Sequence, residues 1–555
     1  IMNRETEKHF SELPETHIPR SKFYMPSGYR STWDTGEIIV NYLEQNVLPG
    51  DTIKMDMSMV VRMATPLYPV LDNAWIDQMF FFIPYRLVWD HWREFWGENK
   101  SEWYQQIEYE IPQIITRERE EGETEDVVFT SKSVADYMGL PLDTTGLSVS
   151  ALPFRALCKV WNDWFRDENL QQEIPFSTGD TTLEAGDATQ TGGTVPKANR
   201  FHDYFSSALN SPQKGPAVLL PLGDWAPVTT RNAYAPPETW NAVGLGWQKV
   251  DGTDFGATNL PLLAQRFETK TDFATTVLGS TQQGSANKEV YPNNLWADLG
   301  RATAASINDL RMAIAIQHFY EAQARGGSRY IEFIRNIFGV TSPDARLQRS
   351  EYLGGRRIPV SMTQVTQTSA TSETSPLGQT GAYSQTNDQH DYFTKSFTEH
   401  GILLGICVIR TDHSFDQGIE RAWSRKKWVD FFVPQLQNIS EMGIKNKEIF
   451  AQGTDEDEEI FGYQEPWADY KYKPSKNTGA FRTTYGQSLD AWHYGDHYET
   501  LPVLGATWIQ EPTENVDRTL AVSSDVENQF LGDFYFNPVY IRPMQIYATP
   551  GLNRI

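Results

Sequence analysis

The chain has 555 residues and a formal net charge of −24 at pH 7, from 48 Lys and Arg against 72 Asp and Glu. With 39% apolar residues and 17 Trp, 25 Tyr and 29 Phe, it differs from the aromatic-poor composition of disordered chains. The charge disfavours binding of free nucleic acid by the protein as a whole, and the absence of an uncharged apolar run of roughly 18 residues excludes a membrane-spanning helix.

The cysteine content and the first residues bear on where the protein is made. Cys158 and Cys407 are the only two cysteines, too few for a disulfide framework. Residues 1–10 contain no apolar stretch like that of a secretory signal. We therefore expect synthesis in a reducing cytoplasm.

A basic and aromatic stretch lies near the N-terminus. Between 16 and 33 the only formal charges are Arg20, Lys22 and Arg30, and four aromatic residues are interleaved with them. Such a stretch could contact nucleic acid, but three charges make a weak electrostatic footprint. We favour an N-terminal arm over 1–33 whose aromatic side chains pack on a neighbouring subunit. The three basic residues remain candidates for nucleic-acid contact.

The clearest local pattern predicts a strand at 53–63, where Ile, Met and Val side chains occupy every second position. Turn residues at 48–51 precede it, so we expect 38–42 and 53–63 to be consecutive strands. The run 401–410 is too apolar for a strand that faces solvent. The remaining predicted strands are 75–83, 401–410 and 530–546, the last interrupted by Pro538 and Pro543.

The middle of the chain shows helical or polar patterns. Residues 306–309 resemble a capping box with Asp at its fourth position, and apolar residues then recur at helical spacing until Gly326 and Gly327. Shorter helices are predicted at 154–165 and 330–338. Strands are therefore predicted at both ends of the chain with little between them, and no linker or repeat divides it. The long polar stretches are 177–199, 250–288 and 361–390.

Motifs that carry catalysis are missing from the sequence, which has no phosphate-binding loop, GxSxG elbow or HExxH helix. His493 and His497 have a spacing that would suit zinc on a helix, but Gly495 and the flanking aromatic residues favour a loop. The acidic run 455–459 could bind a hard cation, yet it lacks the EF-hand pattern, so a solvated turn is favoured. We predict no catalytic residue, no cofactor and no metal ligand.

The most basic aromatic-bearing stretch is RAWSRKKW at 421–428. Its four cations and two indoles suit stacking on the bases of a single strand with contacts to phosphate. The same residue types are enriched at subunit interfaces, where they could pair with the carboxylates of this acidic chain. Both interpretations fit the sequence. The candidates for nucleic-acid contact here are Arg421, Trp423, Arg425, Lys426, Lys427 and Trp428.

Several blocks in one order resemble a known family. The blocks are VLPGD at 47–51, RMATP at 62–66, FFFIP at 80–84, RGGSRYIE at 325–332, PDARLQR at 343–349, EYLGG at 351–355 and RAWSR at 421–425. In this order they are similar to the major capsid proteins of microviruses, and most similar to the gokushovirus branch. The resemblance runs from about residue 30 to 430 and is weaker towards the C-terminus, and a long ordered set of blocks is more specific than any single motif.

The resemblance implies an all-β fold over 1–555, a single eight-stranded antiparallel jelly roll with large loop and helical insertions. An insertion at about 222–288 would form a surface protrusion near the threefold axis, where exposed loops would contribute to host attachment. About sixty copies would form an icosahedral shell around circular single-stranded DNA. The protein would reside in the virion after synthesis in the cytoplasm of a bacterial host. Further partners implied are a pilot or minor capsid protein and a host cell-surface receptor.

The net charge then requires another component. About sixty copies at −24 each carry about −1440 formal charges around a polyanion. Similar viruses hold a small basic DNA-binding protein inside the shell, and we expect such a partner here. We predict that the basic stretches 20–30 and 421–427 face the interior and that the acidic runs 117–126 and 455–459 face outward.

A second class of protein also fits the composition, namely a carbohydrate-binding or glycoside-processing β-sandwich. Such a protein would need carboxylates that converge in a cleft, whereas a capsid protein needs large self-complementary surfaces. The leading hypothesis is a structural protein without enzymatic activity.

Overall fold

A computed structural model describes residues 19–98, 109–120, 123, 125–218, 228–230, 247–249, 290–292, 295–297, 307–327, 329–369, 371 and 377–547. The strands are β1 (Ser21–Tyr24), β2 (Ser27–Trp33), β3 (Ile39–Val47), β4 (Thr52–Met63), β5 (Ala74–Pro84), β6 (Gln113–Ile115), β7 (Ser148–Ser150), β8 (Leu183–Glu184), β9 (Val228–Thr230), β10 (Trp247–Lys249), β11 (Val290–Pro292), β12 (Leu295–Ala297), β13 (Glu351–Pro359), β14 (Met362–Thr366), β15 (Thr380–Ser384), β16 (Thr386–Ser396), β17 (Gly401–Thr411), β18 (Met442–Lys445), β19 (Ile460–Gln464), β20 (Phe530–Phe536) and β21 (Val539–Arg542). The α-helices are α1 (Trp92–Phe95), α2 (Val134–Tyr137), α3 (Leu152–Val160), α4 (Ile307–Gly326), α5 (Tyr330–Phe338), α6 (Arg421–Ser424), α7 (Asn446–Ile449) and α8 (Glu514–Asp517). Short 3₁₀ helices occupy Tyr85–Leu87, Thr189–Thr191, Trp428–Asp430, Pro434–Leu436, Asp455–Glu458, Ala468–Tyr470, Gly479–Phe481 and Asp490–Trp492.

Two large antiparallel sheets form the centre of the fold. The first has the order β1–β21–β4–β20–β2, and β16 pairs with the other edge of β4. β21 and β20 pair with successive parts of β4, and β1 and β2 pair in turn with β21 and β20. The breaks between β1 and β2 and between β20 and β21 contain Pro26 and Pro538, which cannot donate a backbone hydrogen bond to a neighbouring strand. The second sheet has the order β13–β5–β17–β3.

β4 has the alternation that its sequence predicts. Every second side chain from Ile53 to Met63 is buried, and the side chains between them are partly or fully exposed. Because successive side chains of a strand point to opposite faces, one face of β4 contributes only apolar groups to the core. The predicted turn before it is also confirmed: Gly50 has φ +92°, and the Leu48 amide donates to the Asp51 carboxylate at 3.0 Å.

Aromatic side chains fill the space between the two sheets. Phe80 on β5 is fully buried, and its ring centroid lies 5.1 Å from that of Tyr392 and 5.5 Å from that of Phe393, both on β16. Tyr42 on β3 lies 4.8 Å from Phe536 on β20. Aromatic pairs at these separations stabilise the fold beyond the burial of their apolar area. The two sheets therefore share one core.

β17 is buried on both faces, as the apolar run in its sequence predicts. It lies between β5 and β3 within the second sheet, and the first sheet covers one of its faces. α3 packs against β5 and β17, and all of its residues except Lys159 are buried. Phe81, which points away from Phe80, lies 5.7 Å from Trp164 in the π-helical turn that continues α3. The helix and this turn therefore cover the other face of the second sheet.

The three predicted helices are confirmed. α3 with its π-helical turn covers 154–165, α4 ends at Gly326, and α5 spans Tyr330–Phe338. Gly339, with φ +66°, ends α5 as a left-handed C-cap. Among the helices that the structure describes, none is long and apolar enough to cross a membrane.

The prediction of few strands in the middle of the chain is wrong. β13 to β16 lie between 351 and 396, which includes the polar stretch 361–390. β16 is an edge strand of the first sheet, and beyond Thr386 only Tyr392 and Phe393 are buried along it. β14 and β15 pair with each other and are mostly exposed. Edge strands with solvated faces carry few apolar side chains, so their sequences lack a clear period of two.

The chain divides into two compact units. The first consists of Ile1–Lys214 with Glu321–Ile555 and contains both large sheets, and the second is Gly215–Tyr320. Within the second unit β9 pairs with β12 and β10 pairs with β11. Of the insertion predicted at 222–288, only β9 and β10 lie within the described residues, and the polar stretch 250–288 lies outside them.

The described part of the predicted N-terminal arm, 19–33, contains β1 and β2. Trp33 is fully buried, and its ring lies 5.8 Å from that of Phe534. Tyr29 also packs against the core of its own chain. The interpretation that these aromatic side chains pack on a neighbouring subunit is therefore wrong for Tyr29 and Trp33, because the adjacent strand β20 supplies their partners. Residues 1–18 lie outside the described part.

Candidate nucleic-acid interface

The three N-terminal candidates lie on or beside the strands β1 and β2, at the surface. Lys22 places its Nζ 4.6 Å from the ring centroid of Tyr24. The Nε of Arg30 lies 3.3 Å from Asp533 Oδ1 in an exposed ion pair, which contributes little stability. Arg20 is exposed as well. Along β1 and β2 the side chains of Lys22 and Arg30 thus point to the solvent-facing side, whereas Trp33 is buried and Tyr29 half-buried.

The arginines of 421–428 are already engaged within the chain. The Nε of Arg421 on α6 lies 3.3 Å from Glu448 Oε1, and its Nη2 donates to the carbonyl of Gly443. Arg425 pairs with Asp469. The sequence predicts six contact candidates here, but these two guanidinium groups bind carboxylates of their own chain, which lowers the positive charge available to a ligand.

The other four candidates of this segment are accessible. Trp423 and Trp428 are 79% and 72% exposed, and Lys426 and Lys427 are exposed beside them. The backbone amides of both lysines donate to Asp430 Oδ2 at 2.7 Å, which holds the segment in place. No hydrogen bond or ion pair among the described residues joins this segment to Arg20, Lys22 or Arg30, so the structure does not bring the two predicted groups together.

A cavity of about 420 Å³ opens beside α6. Arg421 and Arg425 line it together with residues of 470–476, and its floor belongs to a small second core cluster that includes Tyr204, Phe205 and Phe415. The contribution of 470–476 was not predicted from the sequence. The signal was present, because the letters YKYKPSK alternate aromatic and basic residues, the composition that suits single-stranded nucleic acid.

A buried cluster of charged side chains lies beside Phe415, whose backbone pairs with that of Asp496. His413 is buried, with Nδ1 3.0 Å from Asp496 Oδ1 and Nε2 3.1 Å from Glu511 Oε2. Arg200 pairs with the same Asp496 carboxylate, and Tyr498 donates to it at 2.8 Å. Tyr498 is partly buried and the four charged side chains are buried and partner one another, so they form a structural cluster rather than a site open to substrate.

The cluster shifts the pKa values of its members strongly. Burial by itself lowers the pKa of His413, but the adjacent carboxylates of Asp496 and Glu511 outweigh burial and raise the pKa to about 10. Burial raises the pKa of Asp496, but Arg200 and His413 outweigh burial and hold that pKa well below its usual range. His413 is therefore a cation and Asp496 an anion at neutral pH.

We expect the stability of the protein to fall at alkaline pH through His413. Its folded pKa of about 10 exceeds the ordinary histidine value of about 6.5, so its contribution is complete below about pH 6.5 and is lost as the pH rises to about 10. The urea midpoint of the wild-type chain should fall across this range, and that of His413→Gln should fall less. If the urea midpoints of the two proteins fell equally as the pH rises, this assignment would be contradicted.

The weaker sequence candidates have ordinary structural surroundings. His493 accepts at Nδ1 from the Gly495 amide at 3.0 Å, and its Nε2 donates to the Phe481 carbonyl at 2.7 Å. The solvated turn predicted at 455–459 is wrong for Asp457, which is buried and accepts the amides of 452 and 453. Burial raises the pKa of Cys158 to about 12. Within the described residues no group of three His, Cys, Asp or Glu side chains could hold a metal ion.

Comparison with known proteins matches almost the whole chain to one family. A family model described as "Capsid protein (F protein)" matches residues 11–552. The chain is 40% identical over 556 residues to capsid protein VP1 of Spiroplasma virus 4, with 98% of each chain covered. It is 37% identical to capsid protein VP1 of Bdellovibrio phage phiMH2K over 99% of this chain and 98% of the relative. It is 35% identical to capsid protein VP1 of Chlamydia phage 1 over 98% of each chain.

Proposed function

Because the chain belongs to the capsid protein (F protein) family and is a major capsid protein of the microvirus type, we propose that about sixty copies form an icosahedral shell around circular single-stranded DNA. The observation that carries this proposal is the similarity to three capsid proteins along nearly the full length of the chain. A multi-copy capsid in the virion is what this family implies. The number of copies and the enclosed DNA are the parts that we propose.

We also propose that the two large sheets form an eight-stranded jelly roll. Counting β1 with β2 and β20 with β21 as single interrupted strands leaves four strands in each sheet. The first of these eight strands then pairs with the last, β3 pairs with β17, β4 with β16 and β5 with β13. This nested pairing is the arrangement expected when a long antiparallel hairpin folds over into two sheets, and it supports the proposal.

The proposed role is structural rather than enzymatic, without a cofactor, and synthesis takes place in the bacterial cytoplasm. The accessible residues Trp423, Lys426, Lys427 and Trp428 are the better candidates for DNA contact within their segment, because Arg421 and Arg425 already bind carboxylates. Arg20, Lys22 and Arg30 remain candidates.

In this proposal both basic stretches face the interior of the shell and the acidic runs 117–126 and 455–459 face outward. Mapping most of the basic side chains to the outside of an assembled particle would contradict this orientation.

Further partners follow from charge and exposure. The shell and the DNA are both negative, so a small basic DNA-binding protein supplies cations inside. A pilot or minor capsid protein completes the particle. The insertion at about 222–288 lies within the second compact unit, and we assign to it the protrusion near the threefold axis. We propose that a host cell-surface receptor would bind this insertion.

Negative-stain electron microscopy of the protein expressed alone tests the assembly proposal. We expect uniform shells a few tens of nanometres across in nuclease-treated lysate, with the absorbance ratio reporting any protected nucleic acid. Pentamers or trimers without shells would contradict self-assembly and indicate that another component is required. A stable monomer would likewise contradict self-assembly of the protein on its own.

A further inference from the structure

The cavity beside α6 combines cationic and aromatic side chains in a way that the assembly of a shell does not require. Of the side chains that line its 420 Å³, five are cationic and five are aromatic. We propose that this cavity binds one nucleotide of single-stranded DNA, with the base against the aromatic rings and the phosphate at the lysines. The proposal rests on the proposed function, because the enclosed DNA is the strand that would reach the cavity.

The charge of the cavity differs from that of the whole chain. Its five cations face three carboxylates, whereas the chain as a whole carries −24. Four of the cations have ion-pair partners, in the pairs Arg421–Glu448, Arg425–Asp469, Lys476–Glu420 and Lys471–Glu465. Lys473 is exposed and has no ion pair among the described residues. With Glu465 included, four carboxylates face the five cations, so Lys473 supplies the unpaired positive charge that would attract a phosphate group.

A buried donor in the wall of the cavity also lacks an acceptor. Arg425 binds Asp469 through Nη2, and its guanidinium lies 4.3 Å from the ring centroid of Tyr470. Its Nε is buried without a hydrogen-bond partner among the described residues. Leaving a buried N–H unpaired costs free energy, so a small movement of this side chain that let a phosphate or base oxygen in the cavity accept its hydrogen bond would be favourable.

The aromatic side chains of the cavity include one exposed ring that can stack on a base. Tyr204 and Tyr472 stack with centroids 5.3 Å apart and planes 8° apart, and Tyr470 at the rim is 50% exposed. Stacking on such rings tolerates any sequence, because every base has a π-face. A duplex keeps its bases stacked inside, so a cavity of this size selects an unpaired strand. An acidic peptide would use the cations but would gain nothing specific from the rings.

Binding of labelled oligo(dT) to the full-length protein, followed by fluorescence anisotropy at one fixed salt concentration, tests the proposal. We expect Lys473→Glu and Tyr470→Leu each to weaken binding about tenfold, because the first removes attraction for phosphate and the second removes a stacking surface. Lys214→Glu is the matched control, since it makes the same charge change at an exposed lysine that does not line the cavity. We expect this control to weaken binding by less than about twofold.

Three results would overturn the proposal. Equal weakening by Lys473→Glu and Lys214→Glu would mean that only the overall charge matters. Competition by thymidine monophosphate as strong as that by oligo(dT) would assign the cavity to a free nucleotide, and competition by polyglutamate alone would assign it to an acidic peptide. A photo-crosslink from iododeoxyuridine in the oligonucleotide to the peptide that contains Tyr470 and Tyr472 would support the proposal directly.

Shell formation is scored separately in the same preparations. A wild-type protein that binds oligo(dT) through the cavity but forms no shells would count against the proposed function. Intact shells whose DNA binding is unchanged by Lys473→Glu and Tyr470→Leu would count against the cavity alone.

Discussion

Replacing Asp496 with asparagine is expected to lower the free energy of unfolding by about 3–5 kcal/mol, because it leaves buried cations without their counter-charge. The carboxylate of Asp496 accepts hydrogen bonds from Arg200, from His413 at 3.0 Å, from Tyr498 at 2.8 Å and from Asn515 at 2.6 Å. Asparagine has the same shape but no charge, and its amide presents donors where the neighbours also donate. Urea denaturation followed by tryptophan fluorescence measures the loss.

The matched control is Asp391→Asn, which removes the same charge from an exposed ion pair. Asp391 Oδ2 lies 2.8 Å from Lys54 Nζ, and both side chains are solvated. Exposed pairs contribute little, so we expect a loss below about 1 kcal/mol. If both substitutions had the same effect, the buried cluster would not be the stabilising element that its geometry indicates.

Phe80→Ala is expected to destabilise the protein by about 3–5 kcal/mol, because it opens a cavity between the two large sheets. The ring of Phe80 is fully buried and touches aromatic side chains on both sheets, with centroid separations of 5.1 Å to Tyr392 on the first sheet and 6.3 Å to Tyr42 on the second. Neither sheet can move inwards to fill the gap, since each is held by continuous strand pairing. The urea midpoint of the purified protein is the measurement.

Two control variants separate this effect from a general loss of aromatic side chains. Phe80→Leu keeps most of the apolar volume and should be less destabilising than Phe80→Ala. Tyr535→Ala removes an exposed ring from β20, on the face opposite to Phe536, and should change stability by about 0.5 kcal/mol or less. A loss for Tyr535→Ala as large as that for Phe80→Ala would contradict the placement of the core.

The fold was predictable where an element has one buried face. Every second residue from Ile53 to Met63 is apolar, so the strand β4 and its buried side both follow from the sequence. The capping pattern and Gly326 likewise delimit α4. β16 was missed because it lies at a sheet edge, where Tyr392 and Phe393 are its main buried side chains. Its strand conformation depends on hydrogen bonds to β4, which no local pattern reports.

The candidate site was predictable in composition and not in geometry. The exposed side chains of Trp423 and Trp428 fit the predicted interface. Arg425 does not, because Asp469, which is distant in sequence, neutralises it. Residues 470–476 line the cavity only because the folded chain places them next to α6. Pairing between side chains far apart in sequence is set by tertiary contacts, and composition cannot report it.

By itself, the sequence determined the family, the strands with an apolar face, the three helices and the acidic net charge. These properties depend on residues that are adjacent or regularly spaced along the chain. The tertiary structure alone decided which cations remain free, how Tyr204 and Tyr472 come together beside α6, and that His413 is held as a buried cation between Asp496 and Glu511. These outcomes depend on distances between segments that are far apart in sequence, and burial and Coulomb interactions act through those distances.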